Sequence, residues 1–403
     1  MKDEQSKDLH PESAIIHYGH RQAWSEGAMI MPIYTTSTFQ FKNAEEGADI
    51  FSGKKPDGLV YSRMNNPNLE EFEDRFKILD GAEDAAVFAS GMAAINSLIF
   101  TFVNRGEIVL HSTPIYGGTA TALNEWSKKI GFNTVEIRHT DGEHHWNSFA
   151  QKNTGVSLIL IESPANPTNV LFDLKFFSGI AKKMGAIFAV DNTFLGPLWQ
   201  RPFEYGADLS VYSATKYIGG HSDLLAGVIS GSEELIGRIK KVRSLMGNMG
   251  NPFESYLLTR SLQEIHLRTA KQLKNAKKIA EFLANHEKVE SVFYLGLLKN
   301  KNNYQYKIYR KLKLRPGAMI SFNIKGGKEE TFRFLNALQM IGLAVSLGAT
   351  ESLAEHPYFH THAGVSALDK RRSGITENMI RLSVGIEHYE DIIKDLQRGF
   401  GAI

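Results

Sequence analysis

The chain contains no cysteine, and this absence removes several kinds of chemistry at once. Its 403 residues hold no disulfide, no thiolate nucleophile, no zinc–thiolate cluster and no iron–sulfur cluster. Neither sign of charge dominates, since 46 Lys and Arg stand against 44 Asp and Glu for a net charge of +2. A nearly neutral chain has no overall field to hold a polyanion or an anionic membrane. We therefore expect a cytoplasmic protein that recognises its partners through local sites.

The sequence also lacks a secretory signal and a convincing membrane span. The N-terminal stretch MKDEQSKDLHPES is polar and mixed in charge, which predicts a loose arm. Ala85–Val103 carries no charge over 19 residues, close to the roughly 20 that a bilayer requires. Ser90 and Gly91 interrupt it, however, so we interpret it as a buried strand, a turn and a buried helix. No membrane association is expected.

Two further segments imitate binding motifs. Lys299–Arg315 contains seven basic residues and three tyrosines without an acid, but no nucleic-acid motif accompanies it in this nearly neutral chain. The histidines of EHPYFHTH at 355–362 have no HExxH spacing, and Pro357 argues against a continuous helix that presents them together. We expect neither nucleic-acid binding nor a metal site.

The middle of the chain alternates short apolar runs with helical stretches. Several runs are apolar at consecutive positions, which is typical of a mainly parallel sheet that is buried on both faces. The predicted strands are Ala85–Phe88, Glu107–His111, Thr134–Ile137, Val156–Ile161, Ala186–Val190, Leu209–Tyr212 and Ala226–Ser230. The sequence therefore predicts an α/β fold.

A smaller region follows this one. Pro252–His286 shows a helical pattern without Gly or internal Pro, which predicts one long helix that bridges two domains. Beyond it, the predicted strands are Val289–Tyr294, Ala318–Ile324 and Ile380–Val384, and the predicted helices are Lys328–Leu338 and His388–Phe400. This pattern indicates a C-terminal α+β domain.

Polar residues directly follow three of the predicted strands. Ligands of open α/β sheets bind beyond the carboxyl ends of the strands, so these residues are candidates for a site. Ser90-Gly91-Met92 opens a helix, whose free N–H groups suit a phosphate. Asp191 is a carboxylate at a buried strand end and needs a cationic partner, either an arginine or a protonated ring nitrogen.

The third strand end carries two hydroxyls and an amine. Ser213, Thr215 and Lys216 follow Leu209–Tyr212, and they match the needs of a phosphorylated aldehyde. A single lysine after a strand is usually just solvated. Together, however, an anion site, an isolated carboxylate and a lysine at one edge of a sheet describe a site for pyridoxal 5′-phosphate.

Six blocks of sequence also match a known family. They are YSRMNNPN at 61–68, ASGMAAI at 89–95, ESPANPT at 162–168, VDNTF at 190–194, YSATKYIGGHSD at 212–223 and IRLSVGIE at 380–387. Through them the chain resembles the transsulfuration enzymes of the cystathionine γ-synthase, cystathionine lyase and methionine γ-lyase type. The resemblance implies a PLP fold-type I (aspartate aminotransferase-like) protein with a mainly parallel seven-stranded sheet and a smaller α+β C-terminal domain.

The resemblance implies an assembly as well. Residues 1–60 would form an arm that contacts a neighbouring subunit, 61–252 the PLP-binding domain, and 253–403 the linking helix and C-terminal domain. The implied assembly is a homotetramer, a dimer of dimers with shared active sites.

Residue roles follow from the same resemblance. Lys216 would bind the cofactor aldehyde and move protons, and Asp191 would pair with the pyridine nitrogen. Tyr116 would stack on the ring and assist the leaving group. The phosphate would be held by Gly91, Met92, Ser213 and Thr215 of one subunit and by Tyr61 and Arg63 of its neighbour. The carboxylate of a small amino-acid substrate would bind Arg381, helped by Ser346 and Asn166.

The resemblance indicates the class of reaction more firmly than the particular enzyme within the family. Cystathionine γ-synthases and γ-lyases usually carry Glu where this chain has Val345. Methionine γ-lyases carry Cys at Gly118 and a Lys-Asp pair at Arg243-Ser244. We expect a C–S lyase that performs γ-elimination on cystathionine or methionine-like substrates, with O-acylhomoserine γ-replacement (cystathionine γ-synthase or sulfhydrylase) and cystathionine β-lyase as alternatives. A transaminase of the same fold and a catalytically idle binding protein are the remaining hypotheses.

Overall fold

Two β-sheets organise the protein, for which a computed structural model describes residues 9–403. The strands of the larger sheet are β1 (Asp84–Phe88), β2 (Ile108–Thr113), β3 (Asn133–Arg138), β4 (Val156–Glu162), β5 (Ile187–Asp191), β6 (Leu209–Tyr212) and β7 (Gly227–Gly231). Those of the smaller sheet are β8 (Val289–Phe293), β9 (Met319–Ile324), β10 (Gly342–Leu343), β11 (Leu353–Glu355) and β12 (Met379–Ser383).

Helices cover both sheets. Up to the end of the larger sheet they are α1 (Pro11–His17), α2 (Ala44–Phe51), α3 (Pro67–Asp80), α4 (Gly91–Phe102), α5 (Gly117–Trp126), α6 (Glu143–Lys152), α7 (Leu174–Met184) and α8 (Gly196–Trp199). The later ones are α9 (Glu233–Met246), α10 (Pro252–Leu262), α11 (Ile265–Ala284), α12 (Tyr304–Lys311), α13 (Lys328–Ala337), α14 (Ala367–Arg372) and α15 (Tyr389–Gly401).

The larger sheet brings the ends of several strands to one edge. Its order is β1-β7-β6-β5-β4-β2-β3, and β7 runs antiparallel to both of its neighbours while the other pairs are parallel. The carboxyl ends of β1, β2, β4, β5 and β6 therefore lie together, as a ligand site of this fold requires. The predicted α/β fold with a mainly parallel seven-stranded sheet is confirmed, and each strand lies within two residues of its prediction.

Apolar residues on consecutive positions of a strand pack into different cores. On β5, Phe188 and Val190 belong to one hydrophobic cluster and Ala189 to another on the opposite face. This is the burial that a parallel sheet covered on both sides demands. The cluster of Phe188 also contains Phe322 of the smaller sheet, so one continuous core joins the two sheets.

The segment that imitates a membrane span divides as the sequence predicts. Ala85–Val103 supplies most of β1, then a turn, then α4. The Oγ of Ser90 accepts a 3.1 Å hydrogen bond from the N–H of Ala93 and so caps the helix. Within residues 9–403, no helix combines the length and hydrophobicity that crossing a bilayer takes.

The smaller sheet has the order β10-β11-β12-β9-β8 and is mostly antiparallel. Its strands β8, β9 and β12 match the predicted ones, and this confirms the smaller α+β region. Strands β10 and β11 were not predicted, because they are only two and three residues long and too short for an apolar pattern. Register places Glu355 of β11 opposite Arg381 of β12.

Two expectations about helices were wrong. The long helix predicted over 252–286 is two helices, because the chain turns at 263–264 between α10 and α11. The carbonyl of Ser261, which the turn releases from the helical ladder, accepts a 3.0 Å hydrogen bond from the buried Arg268 guanidinium. Such a tertiary partner has no signature in the local pattern.

The N-terminal arm is the second correction. Residues 1–8 of the predicted loose arm lie outside the described residues, but Pro11–His17 is a helix. Ile15 is fully buried, and the guanidinium of Arg75 donates a 3.0 Å hydrogen bond to the carbonyl of Ile16. Of the predicted loose arm, residues 11–13 therefore form the first turn of α1, and the burial of Ile15 and the Arg75 hydrogen bond stabilise this helix.

Candidate active site

A cavity of about 370 Å³ lies at the carboxyl edge of the larger sheet, against residues of the smaller one. Ten of the twelve residues predicted for the site line it. They are Gly91, Met92, Tyr116, Asn166, Asp191, Ser213, Thr215, Lys216, Ser346 and Arg381. The fold therefore brings together side chains that are up to 290 positions apart in sequence, from Gly91 to Arg381.

The first corner of the cavity is the N-terminus of α4 packed against the chain after β6. A Cβ placed on Gly91 would lie 2.8 Å from the Cβ of Ser213 and 3.0 Å from its Oγ, so only glycine allows this approach. The first amides of a helix have no partner within the helix, and the helix dipole favours an anion beside them. Helix start and serine hydroxyl thus form a cradle for a phosphate.

Thr215 supports the same corner from the side. Its hydroxyl donates a 3.2 Å hydrogen bond to the carbonyl of Ala226 and accepts a 3.0 Å bond from the N–H of Ala226. The N–H of Ser213 donates to the Oγ of Thr193 at 2.8 Å. These bonds fix the loop that leads from β6 to Lys216.

Asp191 ends β5 as a buried carboxylate without a cation. Its Oδ1 accepts a 3.1 Å hydrogen bond from the N–H of Thr193. Throughout the part of the chain that the structure describes, no Lys, Arg or His side chain forms an ion pair with Asp191. Burial raises the pKa of Asp191. Its environment therefore favours either a proton or a bound cation, which a protonated ring nitrogen would supply.

Lys216 follows β6 and reaches the centre of the cavity. Its Nζ donates a 2.8 Å hydrogen bond to the Oγ of Ser346. Burial, and then the positive charge of Arg381, lower the pKa of Lys216 to about 8. An amine with this pKa is partly unprotonated near neutral pH, as a nucleophile and proton carrier must be.

Ser346 connects the lysine to the guanidinium of Arg381. Its carbonyl accepts a 2.9 Å hydrogen bond from Nη2 of Arg381, and its φ is +93°, an unusual angle for a residue other than glycine. Nη1 of Arg381 donates to Oδ1 of Asn166 at 3.1 Å. The predicted carboxylate-binding residues thus form one connected group beside Lys216.

Sequence reasoning missed the residue that neutralises this arginine. Oε1 of Glu355 lies 2.8 Å from Nη1 of Arg381, and both side chains are almost fully buried. The same oxygen accepts a 3.0 Å hydrogen bond from the Oγ1 of Thr361, which lines the cavity. Glu355 lies in a three-residue strand that left no pattern in the sequence, so no local signal could have found it.

A second residue was missed although a signal existed. Glu162 ends β4 after an apolar run, just as Asp191 ends β5, and the register pairs the two. Its carboxylate accepts hydrogen bonds from the N–H of Tyr116 at 2.6 Å and of Asn166 at 2.9 Å. Burial, and then the carboxylate of Asp191, raise the pKa of Glu162 to about 8.

Tyr61 and Arg63 are the two predicted site residues that do not line this cavity. Nη1 of Arg63 donates a 2.8 Å hydrogen bond to the carbonyl of Ser244, and the guanidinium lies 5.6 Å from the centroid of the Tyr61 ring. Within one chain, Tyr61 and Arg63 therefore lie outside the cavity and contact each other and Ser244.

Comparison with known proteins assigns the class. Residues 12–401 match the model of the Cys/Met metabolism PLP-dependent enzyme family, so the chain belongs to that family. It is 39% identical to an L-methionine gamma-lyase of Pseudomonas putida over 96% of each chain. It is 33% identical to an O-succinylhomoserine sulfhydrylase of Pseudomonas aeruginosa over 97% of this chain and 95% of the other.

A solved structure agrees with this membership. The crystal structure of cystathionine gamma synthase from Xanthomonas oryzae pv. oryzae, in complex with aminoacrylate and cysteine, matches with a TM-score of 0.89 at 32% identity. The match covers 98% of this chain and 100% of the other. The predicted family and fold type are therefore confirmed.

The residues of the cavity fit the cofactor of this family. The cradle between Gly91 and Ser213 suits the phosphate of the cofactor. The unpaired carboxylate of Asp191 suits its pyridine nitrogen, and the amine of Lys216 suits its aldehyde. All three lie in the lining of one cavity. The predicted pyridoxal-phosphate dependence is thus supported by family and by donor chemistry alike.

Proposed function

We propose that this protein cleaves the γ carbon–sulfur bond of a methionine-like amino acid and releases a 2-oxo acid, ammonia and a thiol. The observation that carries the proposal is the double role of Ser346, whose hydroxyl binds Lys216 and whose carbonyl binds Arg381. An amino acid held by its carboxylate on Arg381 would present its α-carbon to the amine of Lys216. Identity of 39% to an L-methionine gamma-lyase supports the same reaction.

Bound in this cavity, pyridoxal phosphate supplies an electron sink for negative charge at the α-carbon. Asp191 would keep the ring nitrogen protonated. The ion pair between its carboxylate and that nitrogen would offset the free-energy cost of burying the carboxylate. The Nζ of Lys216 would take the α-proton, release it, and then take a proton from the β-carbon so that the γ-substituent can leave, as an amine with a pKa of about 8 can do. The hydroxyl of Tyr116 would give a proton to the departing sulfur.

The outer part of the cavity favours an apolar substrate side chain. Val345 and Leu225 line it and are 55% and 61% exposed. Among the described residues of the lining, Lys216 and Arg381 are the only cations. Within residues 9–403 the lining therefore offers no further cation for the second carboxylate of cystathionine, so we favour a methionine-like thioether over cystathionine.

A γ-replacement reaction on an O-acylhomoserine is the second candidate. Gly118 and Arg243 favour it, because they differ from the pattern expected of methionine γ-lyases. Arg243 does not line the cavity, is 2% exposed and forms a buried ion pair with Glu73. Its guanidinium therefore supports the fold of α3 and α9 rather than recognition of a thioether.

We also propose an assembly and a compartment. The division into an arm (1–60), a PLP-binding domain (61–252) and a C-terminal domain (253–403) agrees with the two sheets. The position of Tyr61 and Arg63 outside the cavity of their own chain supports the idea that they serve a neighbouring subunit in a homotetramer. The absence of cysteine supports a cytoplasmic location.

A substrate panel tests the proposed reaction. The holoenzyme would be incubated with L-methionine, L-cystathionine, L-homocysteine, and O-acylhomoserine plus sulfide, and 2-oxo acid, ammonia and thiol would be quantified. We expect equal amounts of the three products from methionine. Homocysteine formed from O-acylhomoserine and sulfide, without turnover of methionine, would favour the replacement reaction. Amino transfer without ammonia would contradict both.

A further inference from the structure

We propose that Glu162 is a positioning residue that fixes Tyr116 and Asn166 in one arrangement around the cofactor. The inference deepens the proposed function and rests on it for the roles of those two residues. Glu162 is the last residue of β4, lines the cavity and is 4% exposed. A buried carboxylate of this kind is costly unless its oxygens are bound.

Both oxygens of Glu162 are bound, and they are bound to different loops. Oε2 accepts the N–H of Tyr116, in the loop after β2, at 2.6 Å. Oε1 accepts the N–H of Asn166, in the loop after β4, at 2.9 Å. The N–H of Glu162 itself donates to the Oγ of Ser112 at 2.9 Å, which fixes the backbone from which the carboxylate extends. One side chain thus connects two loops of the site.

The chemistry of this connection requires glutamate. Glutamine would keep one acceptor oxygen but would turn its NH₂ group toward the other amide, and two donors facing each other leave a buried group unsatisfied. Aspartate would keep the carboxyl group on a side chain one methylene shorter, which reaches one amide at best. A glutamate carboxyl satisfies both N–H groups, because each of its oxygens keeps an acceptor lone pair whether or not the group carries a proton.

The two loops act on opposite ends of a bound amino acid. Tyr116 precedes the first turn of α5, and its ring lies over Gly118, where an added Cβ would be 2.6 Å from Cε1. Asn166 accepts a 3.1 Å hydrogen bond from Nη1 of Arg381. Loss of the Glu162 contacts is therefore expected to disturb both the leaving-group side and the carboxylate side of the site.

Two variants, Glu162→Gln and Glu162→Asp, test the proposal in the holoenzyme. The control is Asp173→Asn, because Asp173 is another buried acid that accepts a backbone N–H, from Phe176 at 3.2 Å, and pairs with Lys311 at 2.6 Å. It does not line the cavity. The readouts are thermal stability, visible circular dichroism of the cofactor, kcat and KM with methionine, and the Kd of norleucine, an amino acid without a sulfur leaving group.

We expect both Glu162 variants to keep the bound cofactor but to change its visible circular dichroism. Norleucine should bind about tenfold more weakly, and kcat should fall by roughly tenfold to a hundredfold, as small misplacements of reacting groups produce. Asp173→Asn should lower the Tm and leave the other readouts unchanged. Unchanged circular dichroism and a norleucine Kd within twofold in both Glu162 variants, or equal changes in the control, would overturn the proposal.

Two measurements on the wild-type protein complete the design. The amides of Tyr116 and Asn166 should exchange with deuterium as slowly as those inside β4, and rapid exchange would overturn the proposal even if the variants failed to fold. A wild-type enzyme that binds norleucine but releases no thiol from methionine would refute the proposed function. The spectroscopic and binding results for Glu162 would stand in that case.

Discussion

The amine of Lys216 and the hydroxyl of Ser346 are joined by a 2.8 Å hydrogen bond across the boundary between the two sheets. Lys216 follows a strand of the larger sheet, whereas Ser346 lies in the loop between β10 and β11 of the smaller one. The contact therefore depends on how the two sheets pack, and it brings the proposed proton carrier next to the proposed carboxylate site.

Removal of the lysine amine is expected to abolish covalent binding of the cofactor. Lys216→Ala has no group that could bond to the aldehyde, so the purified variant should lose the visible absorption of the bound cofactor and all turnover. Lys183→Ala, at an exposed lysine of α7, serves as the control and should retain both. A yellow and active Lys216→Ala protein would refute the assignment.

The buried amine should also make the stability of the apoprotein depend on pH. Burial lowers the pKa of Lys216 from 10.5 to about 8, so between these values the unfolded chain binds a proton that the folded chain does not. The contribution of Lys216 to the free energy of unfolding therefore rises with pH across this window. Below about pH 8 the buried amine lowers the free energy of unfolding by its full amount, on the order of 3 kcal/mol.

Denaturant unfolding of the apoprotein and of Lys216→Met checks this prediction. Met keeps the length of the side chain and removes the charge. The variant should be the more stable protein near pH 7, and the two should converge toward about pH 10.5. Parallel stability curves across this range would show that the amine is not desolvated.

Two adjacent glycines give a matched test of the ring of Tyr116. A Cβ on Gly118 would lie 2.6 Å from Cε1 of Tyr116, whereas a Cβ on Gly117 would meet nothing closer than the carbonyl of Thr361 at 3.5 Å. Gly118→Ala should displace the ring and reduce kcat by roughly tenfold or more, while Gly117→Ala should stay within about twofold. Steady-state kinetics with methionine compare them, and equal effects would exclude a role for this contact.

The guanidinium of Arg381 should be needed for binding more than for chemistry. Arg381→Lys keeps the charge but loses the planar set of donors that binds Glu355, Asn166 and the Ser346 carbonyl. We expect KM to rise by about tenfold to a hundredfold with a smaller change in kcat. Initial rates over a range of methionine concentrations measure both constants. A fall in kcat at constant KM would contradict a carboxylate-binding role.

The close approach of Gly91 to Ser213 predicts a cofactor-affinity effect. Gly91→Ala would place a Cβ 2.8 Å from the Cβ of Ser213, so the phosphate cradle must widen. The Kd for added pyridoxal phosphate, measured on apoprotein by absorbance, should rise about tenfold or more. Gly237→Ala, inside α9 with no atom within 4 Å of the added Cβ, should not change it.

The larger sheet and half of the site were predictable because their signals are local. Apolar runs locate the strands, and a polar residue after such a run marks the edge where ligands bind. This pattern alone indicates Asp191 and Lys216 as site residues, without the family resemblance. Glu162 carries the same signal, because it too is a carboxylate at the end of an apolar strand.

The rest depends on contacts between distant segments. Nothing near Arg381 in the sequence indicates a substrate-binding residue, and only the resemblance suggested that role. Glu355 lies opposite Arg381 because of the register between β11 and β12. The guanidinium of Arg268 in α11 donates a hydrogen bond to the carbonyl of Ser261, near the end of α10. Pairings of this kind are decided by tertiary packing, so a local pattern does not reveal them.

Chemical mapping of the covalent attachment tests the central claim most directly. The holoenzyme would be reduced with borohydride, digested and analysed by mass spectrometry. The account predicts that the pyridoxyl mass is carried by the peptide that contains Lys216, in one copy per chain. A label on another lysine, or protein saturated with the cofactor that carries no label, would contradict it.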